Sequence, residues 1–155
     1  MDNYTSDSSD SDANSNKVID FAYLLLEPET VENNLEAYID DKKIIFGCRK
    51  NCGNGLKQIS KNIWKLKNLQ LVSFGGNELY EVPASLGQLQ HLQALVLCDN
   101  KLESLPANIA NLHKLKSLLL HKNKLRTLPP EIIALKNLTE VSKSSNICIS
   151  AVNMV

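Results

Sequence analysis

Cysteine and histidine are the residue types in this sequence that could hold a metal ion or act as a nucleophile. They stand at Cys48, Cys52, Cys98, Cys148, His91, His113 and His121. Cys48 and Cys52 are separated by three residues in "GCRKNCGNG", and a zinc site would need two further ligands that no residue nearby in the sequence supplies. Disulfide frameworks are typical of secreted proteins. We therefore interpret the cysteines as free thiols and expect no metal and no cofactor; the alternative for Cys48 and Cys52 is a terminal capping structure.

The sequence shows neither the residues of a catalytic triad nor those of a phosphate-binding loop. The histidines have no serine or cysteine nucleophile and no orienting acid at matching positions, so we interpret them as surface residues. Gly75 and Gly76 in "FGGNEL" lack the Gly-Lys-Ser end of a phosphate loop, and we expect them to keep a strand exit free of side chains. The sequence gives no support for catalysis, and we expect a protein that is not an enzyme.

The elements that must position any site belong to a 23-residue repeat. Its first position is occupied by Leu69, Leu92, Leu115 and Leu138. Apolar residues also recur at the fourth, sixth, eleventh, fourteenth, eighteenth and twenty-first positions, with asparagine at the ninth and proline at the fifteenth. A fixed period of roughly 20 to 29 residues indicates a solenoid of stacked coils.

The uneven spacing follows from the path of one coil. The fourth and sixth residues face inward from a short strand, where the side-chain period is two, and the later apolar residues face inward from the returning arc. Proline at the fifteenth position favours a short helix just after it. The asparagine amide can satisfy backbone groups at the turn, so we predict a structural ladder of Asn77, Asn100 and Asn123.

Units of the form L-x-x-L-x-L-x-x-N-x-L-x-x-L-P-x-x-I-x-x-L resemble the leucine-rich repeat family, in particular its intracellular class found in Ras-pathway scaffolds and cell-polarity proteins. The resemblance covers roughly residues 47–142. It implies an α/β solenoid with short parallel strands on the concave face and short helices or 3-10 turns on the convex face. It further implies a protein-binding adaptor or scaffold, which could recruit a protein to a signalling complex or to a ubiquitin ligase.

The chain divides into four segments. We predict a disordered acidic Ser/Asp tail over 1–17, a helical N-terminal cap over 18–45, repeats over 46–142 and an irregular end over 143–155. The repeats comprise one divergent unit, three full units and the start of a fourth. "KKIIFGC" is expected to supply the strand of the divergent unit in a shifted register. Lys143 breaks the fourth unit, so we expect self-association through an uncapped last coil.

The net charge of zero hides two opposite halves. Residues 1–41 carry eleven acidic side chains and one lysine, whereas residues 42–155 carry sixteen basic and six acidic side chains. We expect the two halves to attract each other. The basic half also offers an alternative function, the electrostatic binding of nucleic acid or anionic lipid. Its core would be Lys114, Lys116, His121, Lys122, Lys124 and Arg126. Base-stacking aromatic residues are absent from this core, so nucleic acid is the poorer ligand.

The concave strand face is the predicted site of protein binding, because strand residues beside the buried fourth and sixth positions must face outward. The predicted binding residues are Leu71, Ser73, Ala94, Val96, Cys98, Asp99, Ser117, Leu119, His121 and Lys122. Leu71, Val96 and Leu119 form a candidate apolar stripe, and exposed apolar patches often mark contacts. The alternative is that these side chains pack only on each other and a partner binds elsewhere.

Cellular location is predicted from the ends and the hydropathy of the chain. No apolar run approaches the ~20 residues of a membrane span. The first residues are acidic and rich in serine, unlike a secretory signal. We expect a cytoplasmic protein, with the nucleus as an alternative. A last alternative for function is a truncated product that folds poorly and binds nothing.

Overall fold

A computed structural model describes residues 42–46 and 55–142 of the chain. In this part, short strands alternate with short 3-10 helices. The strands are β1 (Lys43–Ile45), β2 (Leu71–Ser73), β3 (Ala94–Val96), β4 (Ser117–Leu119) and β5 (Glu140–Val141). The 3-10 helices are η1 (Lys61–Lys65), η2 (Ala84–Gln88), η3 (Ala107–Asn111) and η4 (Pro130–Ala134). The strands form one parallel sheet in the order of the chain, so each coil adds one strand and the predicted solenoid is confirmed.

The central residue of each strand faces the core and sets the register. Val72 pairs with Leu95, and Leu95 pairs with Leu118, each 23 residues further along the chain. Ile44 pairs with Val72 across 28 residues, so the first coil carries five additional residues. The Phe46 ring stacks on that of Phe74 at a centroid distance of 4.7 Å, which places the extra residues after Phe46.

The predicted N-terminal boundary needs a correction. Lys43–Ile45 was assigned to the end of a helical cap (18–45), but it forms β1 and belongs to the solenoid. The reason is that Ile44 and Phe46 alternate into the core, as the fourth and sixth positions of the later coils do. This agrees with the shifted strand expected for "KKIIFGC". The remainder of the predicted cap, the tail over 1–17 and the end over 143–155 lie outside the described residues.

A continuous apolar core runs through the coils. Leucines at the first, fourth and sixth positions of the third full coil are fully buried, as Leu115, Leu118 and Leu120 show. The convex side of the described coils consists of four 3-10 helices of five residues each; η1 starts after Ser60, and the other three start after Pro83, Pro106 and Pro129. Proline fits there because its φ is fixed and the chain needs no amide donor at that point. One of the two predicted forms of the convex side, the 3-10 turn, is therefore the one present.

Neighbouring convex turns approach each other closely at Gly87. A Cβ atom at this position would overlap the backbone carbonyl of Asn108 in the next turn. Glycine is required here because the obstacle is backbone, which cannot rotate away. The packing of η2 against η3 therefore depends on the absence of a side chain.

The last described strand is attached by a side chain as well as by backbone. The Ser142 hydroxyl accepts hydrogen bonds from the amides of Leu120 at 2.7 Å and His121 at 3.1 Å. In the preceding coil, the Leu97 amide donates instead to the Leu119 carbonyl. The hydroxyl therefore takes the role of a strand carbonyl beside β4.

None of the helices in residues 42–46 and 55–142 is long and apolar enough to cross a membrane.

Candidate functional site

Two rows of outward-facing side chains cross the concave face of the sheet. They flank the buried central residues, and the strand register aligns them. The first row consists of Lys43, Leu71, Ala94, Ser117 and Glu140. The second row consists of Ile45, Ser73, Val96 and Leu119. Adjacent strands lie about 4.8 Å apart, so neighbours within a row are in contact range.

The six predicted binding residues of β2 to β4 all lie on this face. Each is partly buried, because its neighbours in the row cover its sides while its tip faces outward. The other four, Cys98, Asp99, His121 and Lys122, follow the strands at the carboxyl edge of the sheet, where the strands end. Asp99 and Lys122 are exposed, whereas Cys98 and His121 are partly buried.

The apolar stripe differs in composition from the predicted one. Val96 and Leu119 are neighbours in the second row, but Leu71 lies in the first row beside Ala94. The second row begins with Ile45, which was absent from the predicted site. Because the first coil is longer than the repeat period, counting in steps of 23 residues could not place Ile45 or Lys43 on the face. The alternation of Ile44 and Phe46 was the signal that could have placed them.

Opposite charges mark the two ends of the first row. Lys43 stands at the β1 end, and Glu140 stands at the β5 end. The Ser117 hydroxyl donates a hydrogen bond of 2.8 Å to the Glu140 carboxylate. This contact holds the carboxylate beside the row. Between the two charged ends, most residues of both rows are apolar.

Cys98 lies where the strand face meets the carboxyl edge. A Cβ atom on Gly75 would stand 3.1 Å from the Cys98 sulfur, so the glycine leaves room for the thiol. Burial raises the pKa of the Cys98 thiol above its ordinary value of 9.0, which leaves it protonated at neutral pH. A protonated thiol is a poor nucleophile and a poor metal ligand, and Cys98 is a free cysteine as predicted.

The eighth position of each full coil adopts a left-handed backbone. Gly76 has a φ of 70°, and Asp99 and Lys122 each have a φ of 55°. Only the first of these residues is a glycine, so the other two carry strain of about 1 kcal/mol each. The strained backbone holds one acidic and one basic side chain at the carboxyl edge of the face.

Asparagine side chains join successive coils just beyond this edge. The Asn100 amide group donates to the carbonyls of Phe74, Leu97 and Cys98 at 3.0 to 3.1 Å, and its oxygen accepts from the Leu79 amide at 3.0 Å. Asn77 makes the equivalent four contacts one coil before, and Asn123 makes three of them one coil after. These three residues therefore form a ladder that supports the carboxyl ends of the strands.

An ion pair crosses between two loops on the same edge. The Lys101 ammonium lies 2.8 Å from the Glu78 carboxylate and 5.5 Å from the centre of the Tyr80 ring. Its hydrogen bond and charge lower the pKa of Glu78, and the same hydrogen bond raises the pKa of Lys101. Both side chains are well exposed, so the pair adds little to stability but fixes the position of two loops.

The predicted core of an anion-binding surface is not one surface. Lys114 and Lys116 precede β4, at the amino edge of the sheet where the strands begin. The remaining members follow β4 at the carboxyl edge and comprise His121, Lys122, Lys124 and Arg126. The three-residue strand β4, about 10 Å long, separates the two groups.

The described part of the chain contains no candidate metal site. There, no three histidine, cysteine, aspartate or glutamate side chains are close enough together to hold a metal ion. Cys48, Cys52 and Cys148 lie outside residues 42–46 and 55–142.

Comparison with known proteins places this arrangement in a family. Residues 45–155 match the family described as "Leucine-rich repeat region". The chain belongs to the leucine-rich repeat family. A comparison with curated proteins gives no significant match.

Solved leucine-rich repeat structures share the fold. A leucine-rich repeat protein of Leptospira interrogans is 33% identical with a TM-score of 0.51, over 76% of this chain and 35% of that one. The BIR3–SERK2 complex of Arabidopsis thaliana contains a chain that is 29% identical with a TM-score of 0.53, over 58% of this chain and 50% of that one. The complex of the Arabidopsis receptor kinase HAESA with the peptide hormone IDA and the co-receptor SERK1 contains a chain that is 26% identical with a TM-score of 0.53, over 66% of this chain and 16% of that one. This leucine-rich repeat chain thus spans half or less of the length of these relatives.

Proposed function

We propose that this leucine-rich repeat chain is a protein-binding module, and that its partner binds the concave face. The observation that carries the proposal is the second row, in which Ile45, Val96 and Leu119 present apolar tips beside a first row that ends in Lys43 and Glu140. Apolar side chains flanked by fixed charges are typical of protein interfaces, because the apolar part supplies affinity and the charges supply orientation.

The solved relatives support protein binding as the general role. BIR3 was solved in complex with SERK2, and HAESA was solved in complex with a peptide hormone and a co-receptor. In this family the structural role of the coils leaves the concave face free for a partner. Transfer of that role to this chain is part of the proposal.

We further propose an intracellular, cytoplasmic adaptor. The support is the resemblance of its 23-residue units to the intracellular repeat class, together with a free cysteine at Cys98. The stretches "GGNELYEVP", "LVLCDNKLESLP" and "LLLHKNKL" resemble leucine-rich repeat-containing protein 58. On that basis, recruitment of a protein to a ubiquitin ligase is the specific adaptor role we propose.

The test introduces negative charge on the concave face and compares it with the same change on the convex side. Val96→Glu with Leu119→Glu places two carboxylates in the second row, whereas Ala107→Glu with Ile133→Glu places two on exposed convex positions. Proteins enriched from cell extract by the unmodified chain should be retained by the convex variant and lost by the concave variant.

A direct titration then completes the test. The strongest candidate is purified and titrated against all three forms, and we expect at least about a tenfold loss of affinity for the concave variant, or 1.4 kcal/mol. Circular dichroism and a thermal melt check that each variant is folded. Equal binding by the concave variant and the unmodified chain would place the partner elsewhere and refute the proposal.

A further inference from the structure

The stretches that form the amino edge of the sheet contain basic residues and no acidic ones, and the carboxylate that directly follows them in the sequence is Glu140 at the start of β5, which accepts a hydrogen bond from Ser117. The amino edge consists of Lys42 and the stretches that lead into the later strands, residues 66–70, 89–93, 112–116 and 135–139. Its basic residues are Lys42, Lys67, Lys114, Lys116 and Lys136, with His91 and His113. The carboxyl edge differs, because its basic side chains Lys101, Lys122, Lys124 and Arg126 share the edge with four acidic ones, which are Glu78, Glu81, Asp99 and Glu103.

Hydrogen bonds along the amino edge involve its amides and hydroxyls and leave the lysine charges uncompensated. Asn137 donates to the His113 carbonyl at 2.7 Å, and the Thr139 hydroxyl donates to the Lys116 carbonyl at 3.2 Å. The Lys114 ammonium lies 3.2 Å from a ring nitrogen of His91, which is not an anion. Within residues 42–46 and 55–142, none of the five amino-edge lysines forms an ion pair with a carboxylate. Such a row of like charges attracts an anionic partner.

We propose that the amino edge is the docking surface for the acidic N-terminal segment of this same chain, residues 1–41. Two observations select this occupant. The segment has eleven acidic side chains against one lysine, which complements the edge in sign. It also joins the solenoid at the edge itself, because Asp41 is followed by Lys42, whose carbonyl accepts hydrogen bonds from the amides of Gln70 and Leu71.

The segment is long enough to follow the whole edge. Four strand spacings amount to about 19 Å, which about six extended residues can span. By their distance along the chain from Lys42, Glu36, Asp40 and Asp41 are within reach of the first coils, and the remaining carboxylates are within reach of Lys136. A covalent tether gives an effective concentration of the order of millimolar, so several weak exposed ion pairs suffice to hold the contact.

Because the contact depends on exposed charges, it should weaken as the Debye length falls from about 8 Å at physiological salt to ~3 Å near 1 M salt. This inference concerns a different surface from the concave face and does not depend on the proposed function.

Zero-length cross-linking of the full chain tests the proposal. A carbodiimide joins a carboxylate to a lysine only where the two are in contact, and peptide mass spectrometry identifies the pairs. The natural comparison lies within one coil, where Lys114 and Lys116 are on the amino edge and Lys122 and Lys124 are on the carboxyl edge. We expect links from residues 1–41 to form several-fold more often with the first pair, and to disappear in 1 M salt. Equal links to both pairs, or no links, would overturn the proposal.

Cross-linking of a mixture of isotopically light and heavy protein distinguishes a contact within one chain from a contact between two copies. Links within one chain are all light or all heavy, whereas links between copies are mixed. Predominantly mixed links would show that the edge binds the acidic segment of another copy, and that result also overturns the proposal.

A pair of matched variants supplies a second measurement. In NMR spectra of the full chain, Lys114→Gln with Lys116→Gln should shift the amide signals of residues 2–41 in the same direction as high salt does. Lys122→Gln with Lys124→Gln removes the same charge from the same coil and should leave those signals in place. Signals from the buried leucines should be unchanged in both variants. Shifts of equal size in the two variants would indicate a general charge effect and refute docking at the amino edge.

Discussion

Asparagine at the ninth position joins the coils because one side chain both donates and accepts. Asn100 uses its amide group on carbonyls of its own coil and of the preceding coil, and its oxygen holds the Leu79 amide. An apolar residue of the same size would leave the buried Leu79 amide without its acceptor, whereas the Phe74 and Leu97 carbonyls would keep the side-chain amides of Asn77 and Asn123.

Asn100→Ala should therefore destabilise the protein by about 2 to 3 kcal/mol, since one buried donor left unsatisfied costs about 1 to 3 kcal/mol and the lost hydrogen bonds to the carbonyls add to that cost. Asn123→Ala should cost less, because Asn123 is only partly buried. Urea unfolding followed by circular dichroism measures both. Asn111→Ala on an exposed turn is the control and should change little; a loss for Asn100→Ala no larger than the control would contradict the ladder's energetic role.

The two glycines that face the next coil should differ in their tolerance of a methyl group. Gly87→Ala would overlap the Asn108 backbone, whereas Gly75→Ala would meet the Cys98 sulfur, which can move. We expect a loss of about 2 to 3 kcal/mol for Gly87→Ala and a smaller loss for Gly75→Ala. Thermal melts compare the two directly, and equal losses would mean that the convex turns can separate at little cost.

Loops beyond the strands are coupled by charge as well as by backbone. Glu78 and Lys101 occupy the same position of neighbouring coils, one coil apart, and their contact shifts both pKa values. The lowered pKa of Glu78 gives stabilisation that is present above its ordinary value of 4.5 and is lost as the pH falls through the folded value. The raised pKa of Lys101 gives stabilisation that is lost as the pH rises through its folded value, above 10.5.

Lys101→Met should consequently raise the pKa of Glu78 back toward 4.5. The stability difference between the variant and the unmodified protein should be largest between pH 5 and 9, and small, because both groups are exposed. NMR titration of the Glu78 carboxyl carbon measures the first effect, and urea unfolding across pH measures the second. Lys124→Met is the matched control in the next coil and should leave the Glu78 titration unchanged.

The elements that follow the 23-residue repeat could be predicted from the sequence. The strands, the convex turns and the ladder recur every 23 residues, and their inward positions require leucine, so the pattern alone locates Val72, Leu95 and Leu118. β1 was harder to place, because the first coil is longer and its face residues are out of step with the rest. The division of the basic residues between two edges depends on which side of the strand each one flanks, and proximity in sequence conceals that division.

At the scale of the whole molecule, stability is distributed along the stack of coils. Each coil packs on its two neighbours, so a residue is supported according to how many coils cover it. Leu95 is fully buried between flanking coils, whereas Leu138 is 9% exposed and belongs to the last described coil.

Leu95→Ala should thus cost about 3 to 4 kcal/mol, and Leu138→Ala about half as much, because the surroundings of Leu138 can collapse on the cavity. Urea unfolding gives the two values, and hydrogen exchange should show the largest loss of protection next to each substitution. Similar costs at both sites would mean that Leu138 is covered as completely as Leu95.

The narrow width of the strands sets the strength with which the concave face can hold a partner. Four of the five strands have three residues and are about 10 Å long, and the five strands together span about 19 Å, so the described face offers roughly 200 Å². A stable interface buries about 800 Å² on each partner. A complex made through this face alone would dissociate quickly, within milliseconds to seconds, and long residence would require a second contact elsewhere on the chain.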